Sequence, residues 1–328
     1  MFKAFCKKTS LFKHIKDNLY VIQTFTFIPF SRINVIKRLN EAFWIILIKF
    51  YIDLFFRKNK DTVFFICTPL PFLPKFLFKG RLLIYDRWDR VYRFRGVTER
   101  VRLNDLELIR KADLVINSSK SLWKESIVYN KSSIIVRNGS NLEILQKARN
   151  LRKETNKKVI GYIGALTYWI DFDLIRKLAE ARPEYEIHLI GPLMEKEIVK
   201  VLGNTRNVKF FGEIPYNELP LKLKEFDIGI IPFKINELTE AVDPIKVYEY
   251  MAAGKNVVST NLPELYRFKD YIYIAESHEQ FIRFCDEALK NPKVSSEILM
   301  KIALENTWEK RATQIETEIL KRLSTQQR

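Results

Sequence analysis

Residues 159–192 read VIGYIGALTYWIDFDLIRKLAEARPEYEIHLIGP. Two short apolar runs, Val159 to Ile163 and Glu186 to Ile190, flank a longer stretch, and each stops at a glycine. Runs this short, with few polar interruptions, fit strands buried on both faces, as happens when helices cover a sheet on either side. The pattern continues through Val208 to Phe211, Ile228 to Pro232, Asn256 to Ser259 and Ile272 to Ala275, giving six expected strands. In the first half, β-branched and aromatic runs again alternate with helical patterns: Leu19 to Phe25, Thr62 to Cys67, Leu82 to Tyr85, Leu114 to Asn117 and Ile134 to Val136. This order predicts parallel sheets with crossover helices, hence an α/β protein of two doubly wound domains. Ligands of such sheets bind at the carboxyl ends of the strands, so the crevice between the domains is the expected site.

The chain of 328 residues is long enough for two domains, and 47% hydrophobic with 29% charged residues is a globular composition. The pattern predicts a first domain over 1–154, a second over 155–304 and a terminal amphipathic helix within 305–328. Net charge is +17, but residues 1–150 hold 29 basic and 12 acidic side chains while 151–328 hold 27 of each. Cys6, Cys67 and Cys285 form no CxxC pair and His14, His188 and His278 stand apart, which argues against a disulfide framework, a thiolate metal site or a Ser/His/Asp triad. His188, inside an apolar run, reads as a satisfied strand residue. The apolar stretch Ala42 to Phe56 carries Lys49 and Asp53 and falls short of the ~20 residues a membrane span needs. The basic opening lacks the apolar core and cleavage site of a secretory signal, so a cytoplasmic location is expected.

Chemistry concentrates in Glu237 to Thr260. Asp243-Pro244 reads as the cap and first turn of a helix that ends at Gly254. Unpaired amides and the positive dipole end at such a start can receive a phosphate, and Lys246 adds a full charge. Glu249, three residues on, shares its face and is placed to accept both hydroxyls of a ribose. As a bare helix, the same residues read as a surface ion pair worth a few tenths of a kcal/mol. Its position between the strands ending at Pro232 and starting at Asn256 puts the helix start at the ligand-binding edge and favours the nucleotide-sugar reading.

These segments, with Leu83-Ile-Tyr-Asp-Arg-Trp-Asp89, Ala112-Asp-Leu-Val-Ile-Asn-Ser118, Arg137-Asn-Gly139, Val159-Ile-Gly-Tyr-Ile-Gly-Ala-Leu166, Trp169-Ile-Asp171, Ile190-Gly-Pro192, Asn207 to Gly212, Phe226 to Phe233 and Thr307-Trp308, resemble the retaining "group 1" (family 4-like) GT-B glycosyltransferases. The likeness is to the subgroup similar to teichuronic-acid and other envelope-polysaccharide enzymes. It implies that Glu249 is the ribose binder and that Gly164 and Ala165 approach the donor phosphates. It also implies that Glu213, Ile214 and Gly191 hold the base, and that Trp308 opens a helix crossing back to the first domain. Pro244 and Ile245 belong to the helix start that takes the diphosphate. Three positions depart from the pattern. The first of the family's paired glutamates falls on Ala241, leaving Glu240 or Asp243 as the nearby carboxylate. No Arg or Lys follows Gly164 in the phosphate loop, which passes the charge to Lys246 and Lys234. Only 17 residues precede the segment at Asn18, so the family's opening strand, loop and helix are expected to be missing or upstream.

Asp86 and Asp89 fall where a strand should end at the crevice. Either one acts on the acceptor hydroxyl as base, or both form a turn paired with Arg87, Arg90, Arg93 and Arg95. The basic first half, interleaved with aromatics, reads equally as a face for an anionic membrane or as a solvated surface, and no nucleic-acid motif accompanies it. The expected activity is transfer of a sugar from a nucleotide-diphosphate donor to a glycan or lipid-linked acceptor, with retention implied by the resemblance alone. No metal and no cofactor beyond the donor co-substrate is expected, and the protein is expected in the cytoplasm, at the inner face of the membrane if the basic half is a membrane face and free of it if that half is a solvated surface. A nucleotide-sugar 2-epimerase of the same fold and a degenerate protein that binds without turnover are the alternatives.

Overall fold

The computed structural model describes residues 63–69 and 81–326 apart from 196 and 204, and before them 12–16, 19–22 and helical positions between 35 and 50. Residues 23–25, 51–62, 70–80 and Cys6, on which some sequence expectations fall, lie outside the described residues. The chain divides into two compact units, Met1–Phe64 with Leu70–Leu82, and Phe65–Pro69 with Leu83–Arg328.

In the first unit, β1 (Phe12–Lys16) and β2 (Leu19–Ile22) form an antiparallel hairpin with an irregularity between His14 and Lys16. The expected parallel strand beginning at Leu19 is thus half of a separate two-stranded sheet. Only two residues of sequence separate the runs, which suits antiparallel pairing, whereas a parallel pairing needs a crossover of a dozen residues or more.

The second unit is built on two parallel sheets. Strands β3 (Val63–Ile66), β4 (Leu82–Arg87), β5 (Leu114–Asn117) and β6 (Ser133–Ile135) lie in the order β3-β4-β5-β6. Helix α1 (Glu99–Lys111) crosses from β4 to β5, and α2 (Lys120–Ser126) from β5 to β6. The Ser119 hydroxyl caps α2 by accepting the Leu122 amide. The second sheet contains β7 (Val159–Ile163), β8 (Glu186–Ile190), β9 (Val208–Gly212), β10 (Ile228–Ile231), β11 (Asn256–Thr260) and β12 (Tyr273–Ala275). Its order is β12-β11-β10-β7-β8-β9, the doubly wound arrangement in which the chain steps outward from β7 on one side and then from β10 on the other. Its crossovers include α3 (Phe172–Ala181) and α4 (Ile245–Ala252), and α5 (His278–Lys290), α6 (Ser296–Leu304) and α7 (Trp308–Gln326) complete the chain.

β7, β8 and β10 are buried along their whole length, which is why their sequences read as unbroken apolar runs. β9 has the same residue types but is largely exposed, because it is an edge strand. His188 is the satisfied strand residue its setting predicts: its Nε2 lies 3.0 Å from Glu186 Oε2 and its ring meets Phe211. The helical run expected from Leu142 shortens to one turn, Leu142–Leu145, followed by a 3-10 turn, Gln146–Asn150. Only Leu145 and Ala148 of this stretch are buried, so no continuous apolar face sustains a longer helix.

Candidate active site

The switch in strand order between β7 and β10 sends the chain away on opposite sides and opens a crevice at their carboxyl ends. A cleft of about 530 Å³ lies there, within the range of small-molecule sites. Gly164 and Ala165 after β7, Phe233 after β10, and the 242–246 segment form one side, while Trp88, Asp89 and Phe94 after β4 form the other.

The loop after β7 depends on two glycines. Gly164 has φ +147° and Gly191 φ +141°, and a Cβ on Gly191 would sit 2.0 Å from the Gly164 carbonyl oxygen. The loops after β7 and β8 therefore interlock backbone to backbone, held by Gly164 N–H to Ile190 O at 2.8 Å, while Gly191 N–H to Gly212 O at 2.7 Å ties the second loop to the end of β9. On the helix side, a Cβ on Gly164 would lie 3.1 Å from Lys246 Cε, so the first-turn lysine lies directly against this loop.

Helix α4 starts one residue later than its sequence suggests: Pro244 occupies the cap position and makes no side-chain cap bond. From Val247 to Ala252 the helix is buried on every side. Tyr250 anchors it. Its ring packs over Gly229 of β10, and its hydroxyl accepts the Ile163 amide of β7 at 3.0 Å. Lys246 Nζ donates to Glu249 Oε2 at 2.8 Å, with side-chain exposures of 22% and 4%. The pair is thus largely withdrawn from water, unlike the surface pair of a bare helix. The Tyr216 hydroxyl also faces Glu249, and burial with that carboxylate nearby raises its pKa.

Asp243 does not cap α4. Its side chain is fully buried, with Oδ1 2.7 Å from Arg267 Nη2, while Oδ2 accepts the Tyr248 hydroxyl at 2.7 Å and the Asn138 amide at 2.8 Å. With three donors already on this carboxylate, its groups are committed to protein partners. Glu240 is exposed on a 3-10 turn, Thr239–Ala241, and Ala241 is buried, so neither places a carboxylate in the cleft. Glu213 is exposed just after β9, beside half-buried Ile214, which packs on the core. Lys234 is exposed and belongs to a neighbouring hollow of about 800 Å³ that also includes Arg95 and Arg176.

The arginines near Asp86 and Asp89 pair elsewhere. Arg87 grips Asp105 through two nitrogens, at 3.0 and 2.9 Å, and reaches Glu125 at 2.6 Å, while Arg90 also bonds Glu125. Arg93 pairs with Glu237 and Arg95 with Glu195. Among the described residues, the Asp89 carboxylate accepts the Arg90 backbone amide alone, at 2.8 Å. Burial pushes its pKa up to about 6, against weaker opposing effects of that bond and of the nearby arginines, and burial likewise raises Asp86 to about 6. Trp88, Phe94 and Trp169 run along the cleft with centroids 5.9 and 6.2 Å apart. Among the described residues, no three His, Cys, Asp or Glu side chains group to hold a metal.

Sequence reasoning missed Asn138, Tyr216 and Arg267. Asn138 stands in the quoted Arg137-Asn-Gly139, but no local pattern announces a bond to Asp243 across 105 residues.

Residues 144–301 match the family described as glycosyl transferases group 1. Over this stretch the chain is similar to group 1 glycosyl transferases. A protein of Bacillus subtilis (strain 168) described as a teichuronic acid biosynthesis glycosyltransferase, TuaH, is 28% identical over 225 residues, 63% of this chain and 57% of the relative. The chain thus spans little more than half the length of this curated relative. Among solved structures, the sucrose-phosphate synthase of Thermosynechococcus elongatus superposes with a TM-score of 0.76 at 13% identity, over 97% of this chain and 87% of its own. HepE of Anabaena, in complex with UDP and glucose, gives 0.60 at 17% identity, over 75% and 72%. With the two parallel sheets, these likenesses establish the fold as GT-B.

The Lys246–Glu249 pair can be tested as a unit within the transferase domain. Lys246→Ala leaves Glu249 buried beside a hydroxyl alone, and should cost about 2–3 kcal/mol in urea unfolding. Adding Glu249→Gln should recover most of that loss, whereas independent residues would give additive losses.

Proposed function

We propose that the chain transfers a sugar from a nucleotide-diphosphate donor to a hydroxyl of a glycan or lipid-linked acceptor in cell-envelope polysaccharide synthesis. The observation that carries this reading is the meeting of Lys246 with the Gly164 loop at the switch between β7 and β10, at the start of a buried helix. Amides at that start and the lysine charge suit a diphosphate and would stabilise it as it departs from an oxocarbenium-like centre. Lys246 is assigned this role without a metal, with Pro244, Ile245, Gly164 and Ala165 supplying backbone. Glu249, one turn deeper, is assigned the ribose, and Gly191, Glu213 and Ile214 the base. The donor sugar then points toward Asp89, which faces the cleft from the opposite sheet and is assigned to the acceptor hydroxyl as base. The likeness to TuaH supports an envelope glycan as product, and the UDP held by HepE supports a nucleotide donor. Retention of configuration is proposed on family likeness.

The acceptor side is proposed to meet an anionic membrane surface on the cytoplasmic face. Residues 1–82 hold 15 basic and 4 acidic side chains, and among the described helical positions Val35, Leu39 and Ile46 are exposed at spacings that share one helix face. No described helix is long and apolar enough to cross a membrane. A second reading, binding without turnover, is favoured by the buried Ala241 and the exposed Glu240, which leave the first glutamate of the pattern unreplaced in the cleft.

Nucleotide sugars incubated with membrane lipid extract decide between them: nucleoside diphosphate should appear only with the extract, whereas binding without product supports the second reading, and an isomerised sugar would indicate an epimerase. Glu249→Ala should weaken UDP binding in calorimetry about 10–100-fold, the value of a hydrogen-bonded charge. Unchanged affinity removes Glu249 from the site. A base with a pKa near 6 loses activity as it is protonated, so turnover should fall below pH 6; Asp89→Asn should be slow and lack that acid limb. Vesicles containing phosphatidylglycerol should sediment the protein, and Ile46→Glu should weaken this.

A further inference from the structure

We propose that Asp243 and Glu264 are positioning residues, two buried carboxylates of the six-stranded domain that clasp the four-stranded domain and hold the start of α4 opposite Asp89. The proposal rests on the reading of that helix start as the donor-phosphate end. Glu264 is 4% exposed in its side chain and Asp243 not at all. Buried carboxylates are tolerated only where donors replace the lost water. Within their own domain both share Arg267, which lies 2.7 Å from Asp243 Oδ1 and 3.2 Å from Glu264 Oε2 and stacks on Phe268. Tyr248 adds its hydroxyl to Asp243 Oδ2 from the same domain, and the other donors come from across the crevice. Asp243 Oδ2 takes the Asn138 amide at 2.8 Å, Glu264 Oε1 the Lys120 amide at 2.6 Å, and Glu264 Oε2 the Arg137 guanidinium at 3.1 Å. Asn138 also returns a bond from its own amide group to the Asp243 carbonyl at 2.7 Å.

These donors follow β5 and β6, so the clasp ties the carboxyl edge of one sheet to the element that opens α4. Separating the domains would strip Asp243 of a backbone donor and Glu264 of two donors, leaving Glu264 on the shared arginine and Asp243 on that arginine and the Tyr248 hydroxyl. Asp243 is followed at once by Pro244, whose ring restricts the backbone, here at φ −70°. The position of the Asp243 carboxylate is therefore passed to Ile245 and Lys246 with little slack. The same contacts explain how Asp243 lines the cleft while its carboxylate is turned to the protein.

The test uses the full chain with UDP as probe. Glu264→Gln should speed hydrogen exchange at the Asn138 amide, which Glu264 does not touch, by about tenfold, and Asp243→Asn should do the same at the Lys120 amide. Turnover of donor with lipid extract should fall about tenfold in kcat, with KM and UDP affinity within about twofold. Arg137→Gln, a partly exposed residue whose loss leaves the core intact, should reproduce the kcat loss, and combining it with Glu264→Gln should add little. Exchange confined to the amide each carboxylate touches, unchanged kcat, or a parallel fall of kcat and UDP affinity would each overturn the proposal. If the wild-type chain releases no nucleoside diphosphate with any donor, the transferase reading fails, and the exchange data alone decide the clasp.

Discussion

A helix buried on every side can carry charge only where that charge has a partner, and this constraint organises the centre of the molecule. Helix Ile245–Ala252 is enclosed from Val247 onward, so its polar groups collect at its start and along the turn that faces the crevice. Tyr250 ties it to both strands flanking the topological switch, through the Ile163 amide and the Ile230 carbonyl. Fixing the helix in this way fixes Lys246 against the Gly164 loop, and the geometry of the cleft follows from that contact.

Two buried carboxylates in this segment are treated differently. Glu249 has one cation, Lys246, and a tyrosine hydroxyl. Asp243 has an arginine, a tyrosine and a backbone amide. The first arrangement leaves acceptor capacity unfilled by protein, while the second spends it on holding the protein together. Proximity to a cleft is therefore a poor guide to a carboxylate's task, and the inventory of its donors is a better one. Asp89 illustrates the remaining case, a half-buried carboxylate with one backbone donor and a raised pKa.

Much of this was legible in the sequence. The six strands from Val159 to Ala275 match the observed elements to within a residue or so at each end, and in β7, β8 and β10 burial on both faces writes an unbroken apolar run. The start of α4 was legible through Pro244, and the loops of Gly164 and Gly191 through the glycines that end their strands. Exposure of β9 was not, since residue type does not say which strand lies at the edge. Nor was the role of Asp243, whose partners Asn138 and Arg267 lie 105 and 24 residues away. β1 and β2 show the same limit: the run Leu19–Ile22 is a strand as read, but its neighbour is chosen by the few residues that separate the two strands in sequence.

The interlocked glycines after β7 and β8 set a boundary on how such a site can change. A single methyl group on Gly191 would collide with the carbonyl of Gly164, so neither loop can be altered by substitution without moving the other. This part of the crevice behaves as a rigid die, the same for whatever ligand is pressed against it. Change in the cleft must then be worked on its opposite wall, where Trp88 is exposed and Asp89 half-buried.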